Sequence, residues 1–248
     1  MNSGGFLSTR ADKTGDNVDM EPDLRIVSYN LREHLAIGEL HELVTAHTMD
    51  VLCLQECDST DIPDEINGLT LAASTKTNRL GLALYYRKDR FELLGTSLFA
   101  LMKSMHDRVM APAHERLLAA RLRDRTTGQE LIVADFHAAP LTATNALRRK
   151  QIGLAHEKLS ELAGGIPTVM VGDFNYPWFR QGLRKHLLKT GYELSITDEP
   201  TYARPGFSGH FDFATTMGMQ IGSVLSLPQG KSDHRPILLL ASVAAVPA

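Results

Sequence analysis

The sequence predicts a single layered α/β domain, and three observations predict it. Short β-type runs alternate with longer helical patterns, some neighbouring runs are separated only by turn signals, and nothing after an N-terminal tail reads as a repeat, a low-complexity stretch or a linker. At 248 residues the chain is long enough to bury a sizeable core without covalent staples.

Residues 1–23, rich in Gly, Ser, Asp, Lys and Asn, read as a flexible tail, which leaves 24–248 as the domain. The first strand is 24–29, with Arg25, Val27 and Tyr29 on one face and Ile26 and Ser28 on the other. Leu40, Leu43 and Val44 at helical spacing predict a helix over 38–49, and an apolar run predicts a strand over 50–55. Pro63 and Gly68 make 62–68 a loop or turn. Strands over 80–87 and 91–99 read as a hairpin around 88–90, and 100–114, which has no period, reads as an exposed loop. A second hairpin pairs 116–123 with 129–136 across Thr127-Gly128. Ala146, Ile152, Leu159 and Leu162 mark a long helix over 142–162, stopped by Gly164-Gly165. A buried strand at 167–171, a shorter helix at 178–188, and strands at 211–215, 221–227 and 236–241 complete the order.

The formal net charge of -3 excludes a protein that coats nucleic acid through a strong positive field. The charge is uneven, however: between Lys76 and Arg125, three Lys and eight Arg stand against five acids, a net +6, while the first 65 residues lean acidic. The stretch is either a basic substrate face or a solvated mixed surface. Cys53 and Cys57, three residues apart, form neither a redox pair nor a zinc site, and Cys53 is expected in the core as a small hydrophobe. There is no signal-peptide core and no apolar run of membrane-spanning length, so the expectation is a cytoplasmic monomer without stable membrane insertion.

Several apolar strands lead into a residue able to meet a cation or a phosphate. Residues 26–29 lead to Asn30, 51–55 to Glu56, 131–136 to His137, and 168–172 to Asp173 and Asn175. Open α/β sheets bind ligands at the carboxyl ends of their strands, so four such ends can converge. Ser232-Asp233-His234 precedes its strand, which must then run antiparallel to reach the same end. Oxygen-rich donors of this kind suit Mg²⁺ or Mn²⁺ better than zinc. Asp173 is placed to orient and deprotonate a water, Asn175 to hold that water or a phosphate oxygen, and Asp212 to fix the tautomer of His234. Each residue also has a plainer reading: Asn30 as a turn residue, Glu56 as a solvated strand end, His137 as a structural histidine, Asp212 as an exposed strand residue, and 172–175 as a helix-capping turn. The case rests on their joint order and spacing.

In that order, Ser28-Tyr29-Asn30, Leu54-Gln55-Glu56, Gly172-Asp173-Phe174-Asn175 and Ser232-Asp233-His234 resemble the endonuclease/exonuclease/phosphatase superfamily. This group contains deoxyribonuclease I, abasic-site endonucleases, sphingomyelinases and inositol polyphosphate phosphatases. The resemblance covers residues 24–241 and implies a four-layer α/β sandwich with two central mixed β-sheets flanked by helices. It implies Glu56 as the main metal ligand with Asn30 and Asp233 near the metal, and Asp173 and Asn175 at the attacking water. It further implies His234 on the phosphate or as base, oriented by Asp212, and His137 on a phosphate oxygen or the leaving group. The reaction implied is one-step hydrolysis without a covalent intermediate. Asn30-Leu31-Arg32 is similar to the deoxyribonuclease I pattern, but the acid that partners the first histidine there is missing from Asn78-Arg79-Leu80-Gly81. Arg32, Arg79 and Arg116 are candidate phosphate contacts, Arg79 and Arg116 equally readable as solvated charges.

The preferred substrate is nucleic acid, on the strength of the basic central region, the Asn-Leu-Arg motif and Arg148, Arg149 and Lys150 on the long helix. The alternative is a phosphorylated small molecule or lipid, of inositol phosphate or sphingomyelin type. Phe174, Tyr176, Pro177 and Trp178 offer a surface for a base or a lipid, with Trp178 expected in the core. A catalytically inactive binding module is disfavoured by the intact set of chemical residues.

Overall fold

The first strand, β1 (Leu24–Asn30), lies parallel to β2 (Val51–Cys57), and both are apolar on both faces, as a doubly covered sheet requires. The computed structural model describes residues 23–75, 80–103, 115–178 and 180–243. Around the β1–β2 pair a seven-stranded sheet is completed by β3 (Glu65–Ile66), β4 (Leu69–Ser74), β5 (Gly81–Arg87), β14 (Met219–Ser226) and β15 (Ile237–Val243), in the order β14-β15-β1-β2-β5-β4-β3. A six-stranded sheet is built around a second parallel pair, β8 (Glu130–His137) and β9 (Thr168–Asp173). Its other strands are β6 (Phe91–Ala100), β7 (Glu115–Asp124), β10 (Glu193–Ile196) and β13 (Asp212–Met217), in the order β10-β13-β9-β8-β7-β6.

The two sheets lie face to face over one apolar layer, in which Ile26, Cys53 and Leu84 of the first meet Leu118, Val133 and Val171 of the second. The outer face of the first sheet carries α1 (Leu40–Ala46) through Leu40 and Val44. The outer face of the second carries α2 (Asn145–Ala163) through Ile152 and Leu159, and α3 (Arg180–Leu188) through Leu183 and Leu187. Helix, sheet, sheet, helix: this is the four-layer sandwich the resemblance implied.

Helix α2 begins where Thr144 accepts a hydrogen bond from the Leu147 N–H and ends at Gly164 in the left-handed region. Ile152 and Leu159 are buried and Leu162 half-buried, but Ala146 is exposed. The hairpin across Thr127-Gly128 is present as β7–β8, and β15 runs antiparallel to β1 as required. The expected hairpin of 80–87 with 91–99 is not: β5 pairs with β2 and β4, whereas β6 pairs with β7 in the other sheet. The chain changes sheet at this point. Arg90 holds the crossing, its guanidinium reaching Asp50 (2.8 Å) before β2 and Asp124 (3.1 Å) at the end of β7. The expected helix over 38–49 is shorter, a 3-10 turn at Ile37–Glu39 leading into α1, and strand β4 and the short β10 carry too little periodicity to have been expected. Of the loop expected at 100–114, Ala100 ends β6, Leu101 is buried and residues 104–114 lie outside the described residues, as does the expected tail except Asp23. No described helix is long and apolar enough to cross a membrane.

One buried group makes the fold acid-sensitive. His156 on α2 lies stacked on Tyr192 (3.7 Å between centroids), with Nε2 2.9 Å from Thr215 Oγ1. Burial, helped by the neighbouring charge of His186, pushes its imidazole down to about 3. An unfolded histidine titrates near 6.5, so below that pH the unfolded chain gains a proton that the fold refuses, and stability falls as pH drops from 6.5 toward 3. Between pH 7 and pH 5 this site costs about 2 kcal/mol. Urea unfolding at the two pH values should show His156→Gln losing that much less than the parent protein; equal losses would refute the buried neutral imidazole.

Candidate active site

Because β1 and β2 are parallel, as are β8 and β9, and the sheets face one another, four carboxyl ends open on one edge of the sandwich. Asn30 ends β1, Glu56 lies near the end of β2, and His137 and Asp173 end β8 and β9 as registered neighbours. Asn30 joins the two sheets: its side-chain amide donates to Glu56 Oε1 (3.3 Å) and to Asp173 Oδ2 (3.1 Å). Asn175, in a left-handed conformation (φ 48°), folds back so that its backbone N–H donates to Asp173 Oδ1 (2.9 Å) and its amide to Oδ2 (3.0 Å). Gly172 permits this turn, since its φ is +143° and a Cβ there would lie 1.9 Å from the Phe136 carbonyl oxygen. Burial holds the Asp173 carboxyl well above the ordinary carboxylate range, with Asp212 and Glu56 adding to the rise against the opposing His234.

Glu56 is fixed by an unusual turn. Arg32, Glu33 and His34 are consecutive left-handed residues (φ 48°, 51° and 69°), each costing about 1–2 kcal/mol for a side chain with a Cβ. The turn aims the Glu33 N–H at Glu56 Oε2 (2.8 Å) and the His34 N–H at the Glu56 carbonyl (2.8 Å). Such strain concentrates at functional sites.

The third wall is Ser232-Asp233-His234. Ser232 donates through Oγ to the Asn30 carbonyl (2.7 Å) and accepts from the His234 N–H (3.1 Å), locking the loop to the end of β1. His234 Nδ1 is 2.8 Å from Asp212 Oδ2, and its Nε2 is 3.8 Å from Asp173 Oδ2. Burial alone would depress this imidazole, but Asp212, then Asp173 and Asp233, drive it up to about 10. His137 goes the other way: burial first, then the charge of Arg116, push it down despite Glu56. Its Nε2, 3.8 Å from Glu56 Oε1 and 3.7 Å from Asp173 Oδ2, therefore faces two carboxylates as a neutral ring. Asp173, Asp212 and His234 bring one ligand atom each within 4.8 Å of one another, a possible metal-binding group.

The structure thus gathers Asn30, Glu56, His137, Asp173, Asn175, Asp212 and His234 around one cleft. Asp233 lies beside it with Oδ2 held by Arg204 (2.6 and 3.0 Å) and Oδ1 3.8 Å from Arg32 Nε. Arg79 falls outside the described residues. Arg116 is not a solvated charge: it is 3% exposed and donates to the His137 carbonyl (2.9 Å), steadying the end of β8. Arg148 is likewise buried, 2% exposed with its guanidinium on the Pro140 and Ala143 carbonyls. Asp212 is buried, not an exposed strand residue. Phe174 and Tyr176 are core residues, and Trp178, expected there, is 49% exposed.

Sequence reading missed Thr201, whose Oγ1 accepts the Phe211 and Asp212 N–H groups (3.0 and 3.1 Å) and so positions Asp212. It also missed Tyr202 and Arg204, on a small hairpin of β11 (Tyr202–Arg204) and β12 (Phe207–Gly209). The Pro205-Gly206 turn signal between them was the available clue.

Comparison with known proteins bears on the fold and the family. A curated relative, described as a UPF0294 protein of Erwinia tasmaniensis, is 30% identical over 115 residues, which span 45% of this chain and only 41% of that protein. The mannosyl-6-phosphatase of Bacteroides thetaiotaomicron superposes with a TM-score of 0.71 at 18% identity, covering 88% of this chain and 99% of that one. The human Nocturnin catalytic domain with bound sulfate gives 0.69 at 19% identity (92% and 97% covered), and D. rerio TDP2 with a single-strand DNA product gives 0.69 at 15% (89% and 99%). At such identities these structures share the fold. The sequence profile of the Endonuclease/Exonuclease/phosphatase family, by contrast, matches residues 17–234 and so spans most of the chain, from before β1 to His234 itself. The chain belongs to the endonuclease/exonuclease/phosphatase family.

Proposed function

We propose that this chain is a divalent-metal-dependent phosphodiesterase that cleaves nucleic acid, working as a monomer with one catalytic domain over residues 24–248. The observation that carries the reading is the single Asp173 carboxylate held by the amides of Asn30 and Asn175 and faced by the Nε2 atoms of both histidines.

The donors fit a hard cation. Glu56 offers a half-buried carboxylate beside Asn30, whereas the Asp173–Asp212–His234 group already contains its own cation, the imidazolium between two carboxylates. We therefore assign Mg²⁺ or Mn²⁺ to Glu56, with Asn30 beside it and Asp233, bonded to Arg204, at the margin of the site. Such an ion supplies neutralising charge to the phosphate and the leaving oxygen. Asp173 receives a proton from the attacking water, whose oxygen bonds to phosphorus in line with the breaking ester bond. Asn175 and Asn30 hold the Asp173 carboxylate in the orientation that this transfer needs. His234, anchored through Nδ1, presents Nε2 to a phosphate oxygen, and His137 closes the opposite side.

A substrate panel tests the assignment: plasmid DNA, single-stranded DNA, RNA, inositol phosphates, sphingomyelin and a sugar phosphate, each with Mg²⁺, Mn²⁺ or EDTA. Cleavage of a nucleic acid that EDTA stops is expected. Metal-independent turnover refutes the cofactor, and turnover of a sugar or lipid phosphate alone refutes the substrate.

A further inference from the structure

Next to the hydrolytic groups stands a row of aromatic rings that the chemistry above leaves unused. Tyr202 lies 4.9 Å from the His234 ring, Phe207 lies 6.0 Å from Tyr202, and Trp178 lies 5.4 Å from Phe207. Phe211 backs the row at 4.6 Å from Tyr202 and 5.8 Å from Phe207. The row is tight at Gly209, where a Cβ would lie 3.0 Å from Pro177 Cβ and 3.2 Å from the Phe211 ring, so a larger residue would require the β11–β12 hairpin and the segment that carries Trp178 to give by a few tenths of an ångström. The Arg204 guanidinium sits 5.5 Å over the Tyr202 ring while Asp233 anchors its other side.

The outer end of the row is open. An indole is large and apolar enough that half exposure is costly when its packing serves the core alone, and Trp178 is 49% exposed with Phe207 as its ring neighbour. Its place in the chain, three residues after Asn175, fixes it to the same turn that holds Asp173.

We infer that Trp178, Phe207 and Tyr202 form a stacking shelf for a base of the substrate, leading from the scissile phosphate at His234 outward to solvent. This rests on the phosphodiesterase reading and narrows it to a substrate that bears a planar ring on that side of the phosphate. Rings tilted to one another by 54° and 62°, with the Arg204 guanidinium over Tyr202, present polarised faces and edges suited to a heterocycle rather than to an alkyl chain. Stacking of this kind is tolerant of base identity, because every base has a π-face, so the shelf selects for the presence of a base and not for sequence.

Trp178 is the single tryptophan in the chain, so indole fluorescence reports this position alone. The titration uses the full chain carrying Asp173→Asn, to slow turnover, in Mg²⁺. Tetrathymidylate is compared with an abasic tetramer of the same charge. Saturable quenching by tetrathymidylate is expected, with affinity for the abasic tetramer about 5- to 100-fold weaker. By anisotropy of labelled oligonucleotides, Trp178→Ala should lose the same factor for tetrathymidylate and under about twofold for the abasic tetramer, and Trp178→Phe should restore most of it. Equal affinities for the two tetramers, absence of saturable quenching, or a Trp178→Ala protein that binds as its parent does would overturn the shelf. So would a blue shift on sphingomyelin vesicles with no response to the oligonucleotides. Failure of the phosphodiesterase reading shows elsewhere, as no cleavage in the metal panel while base-dependent quenching persists.

Discussion

Asp173→Asn should lower turnover by about 10²–10⁴-fold at saturating metal while leaving the fold intact, with a melting temperature close to that of the parent. The activity loss follows from placement. Asp173 is bonded across both sheets, through Asn30 on β1 and Asn175 after β9, and it faces the Nε2 atoms of both His137 and His234. Asparagine keeps the shape but offers one accepting oxygen where the carboxylate offers two, so part of the bonding from Asn30 and Asn175 is lost, and it cannot take a proton from water at neutral pH. Electrostatic relief offsets that loss. Asp173 is buried and opposes Asp212 in register, with Glu56 nearby, so its charge is costly in the fold. Activity and thermal melting of the same preparation check both halves. A variant that keeps its turnover removes Asp173 from the proton transfer; one that melts well below the parent makes its role structural.

Gly172→Ala should be the most damaging glycine-to-alanine change among the described residues. The new Cβ would sit 1.9 Å from the Phe136 carbonyl oxygen and 2.8 Å from its carbon, between two paired strands of the central sheet. It would also force a side chain onto a φ of +143°. Overpacking and backbone strain together are worth on the order of 3 kcal/mol, a fall of roughly 6–12 °C in Tm for a chain of this size. Turnover should fall as well, because β9 must shift at the residue before Asp173. Gly182 supplies the control: it lies in α3 with nothing within 4 Å of a Cβ, so Gly182→Ala should be neutral or stabilise by up to about 1 kcal/mol. Equal melting temperatures for the two variants would contradict the close strand approach.

The parts of the site that could be read from the sequence share a simple property. Asn30, Glu56, His137 and Asp173 each follow a mostly apolar run, and such a run that stops at a chemically active side chain marks a strand end at a sheet edge. His234 and its antiparallel strand were readable for the same reason from the other direction. What escaped depends on partners far away in the chain. Two strands separated by three residues look alike whether they form a hairpin or change sheets; here Arg90 reaches Asp50 and Asp124, and no local pattern foretells that. Arg148 looks like surface charge on a helix until the loop carbonyls of Pro140 and Ala143 fold over it. Trp178 was placed in the core by its hydrophobicity alone, while the neighbour that gives it a place outside the core, Phe207, sits on a three-residue strand too short to show a period.

Asn30 and Glu56 ride on one sheet and His137, Asp173 and Asp212 on the other, so the reacting geometry is split between two plates. What sets the gap between the plates is the dry interleaf of Cys53, Leu84, Leu118 and Val133. A methyl group gained or lost there would leave every polar side chain of the candidate site chemically unchanged and still shift one half of the site against the other. The hydrophobic filling thus acts as a shim whose thickness sets how the two halves meet.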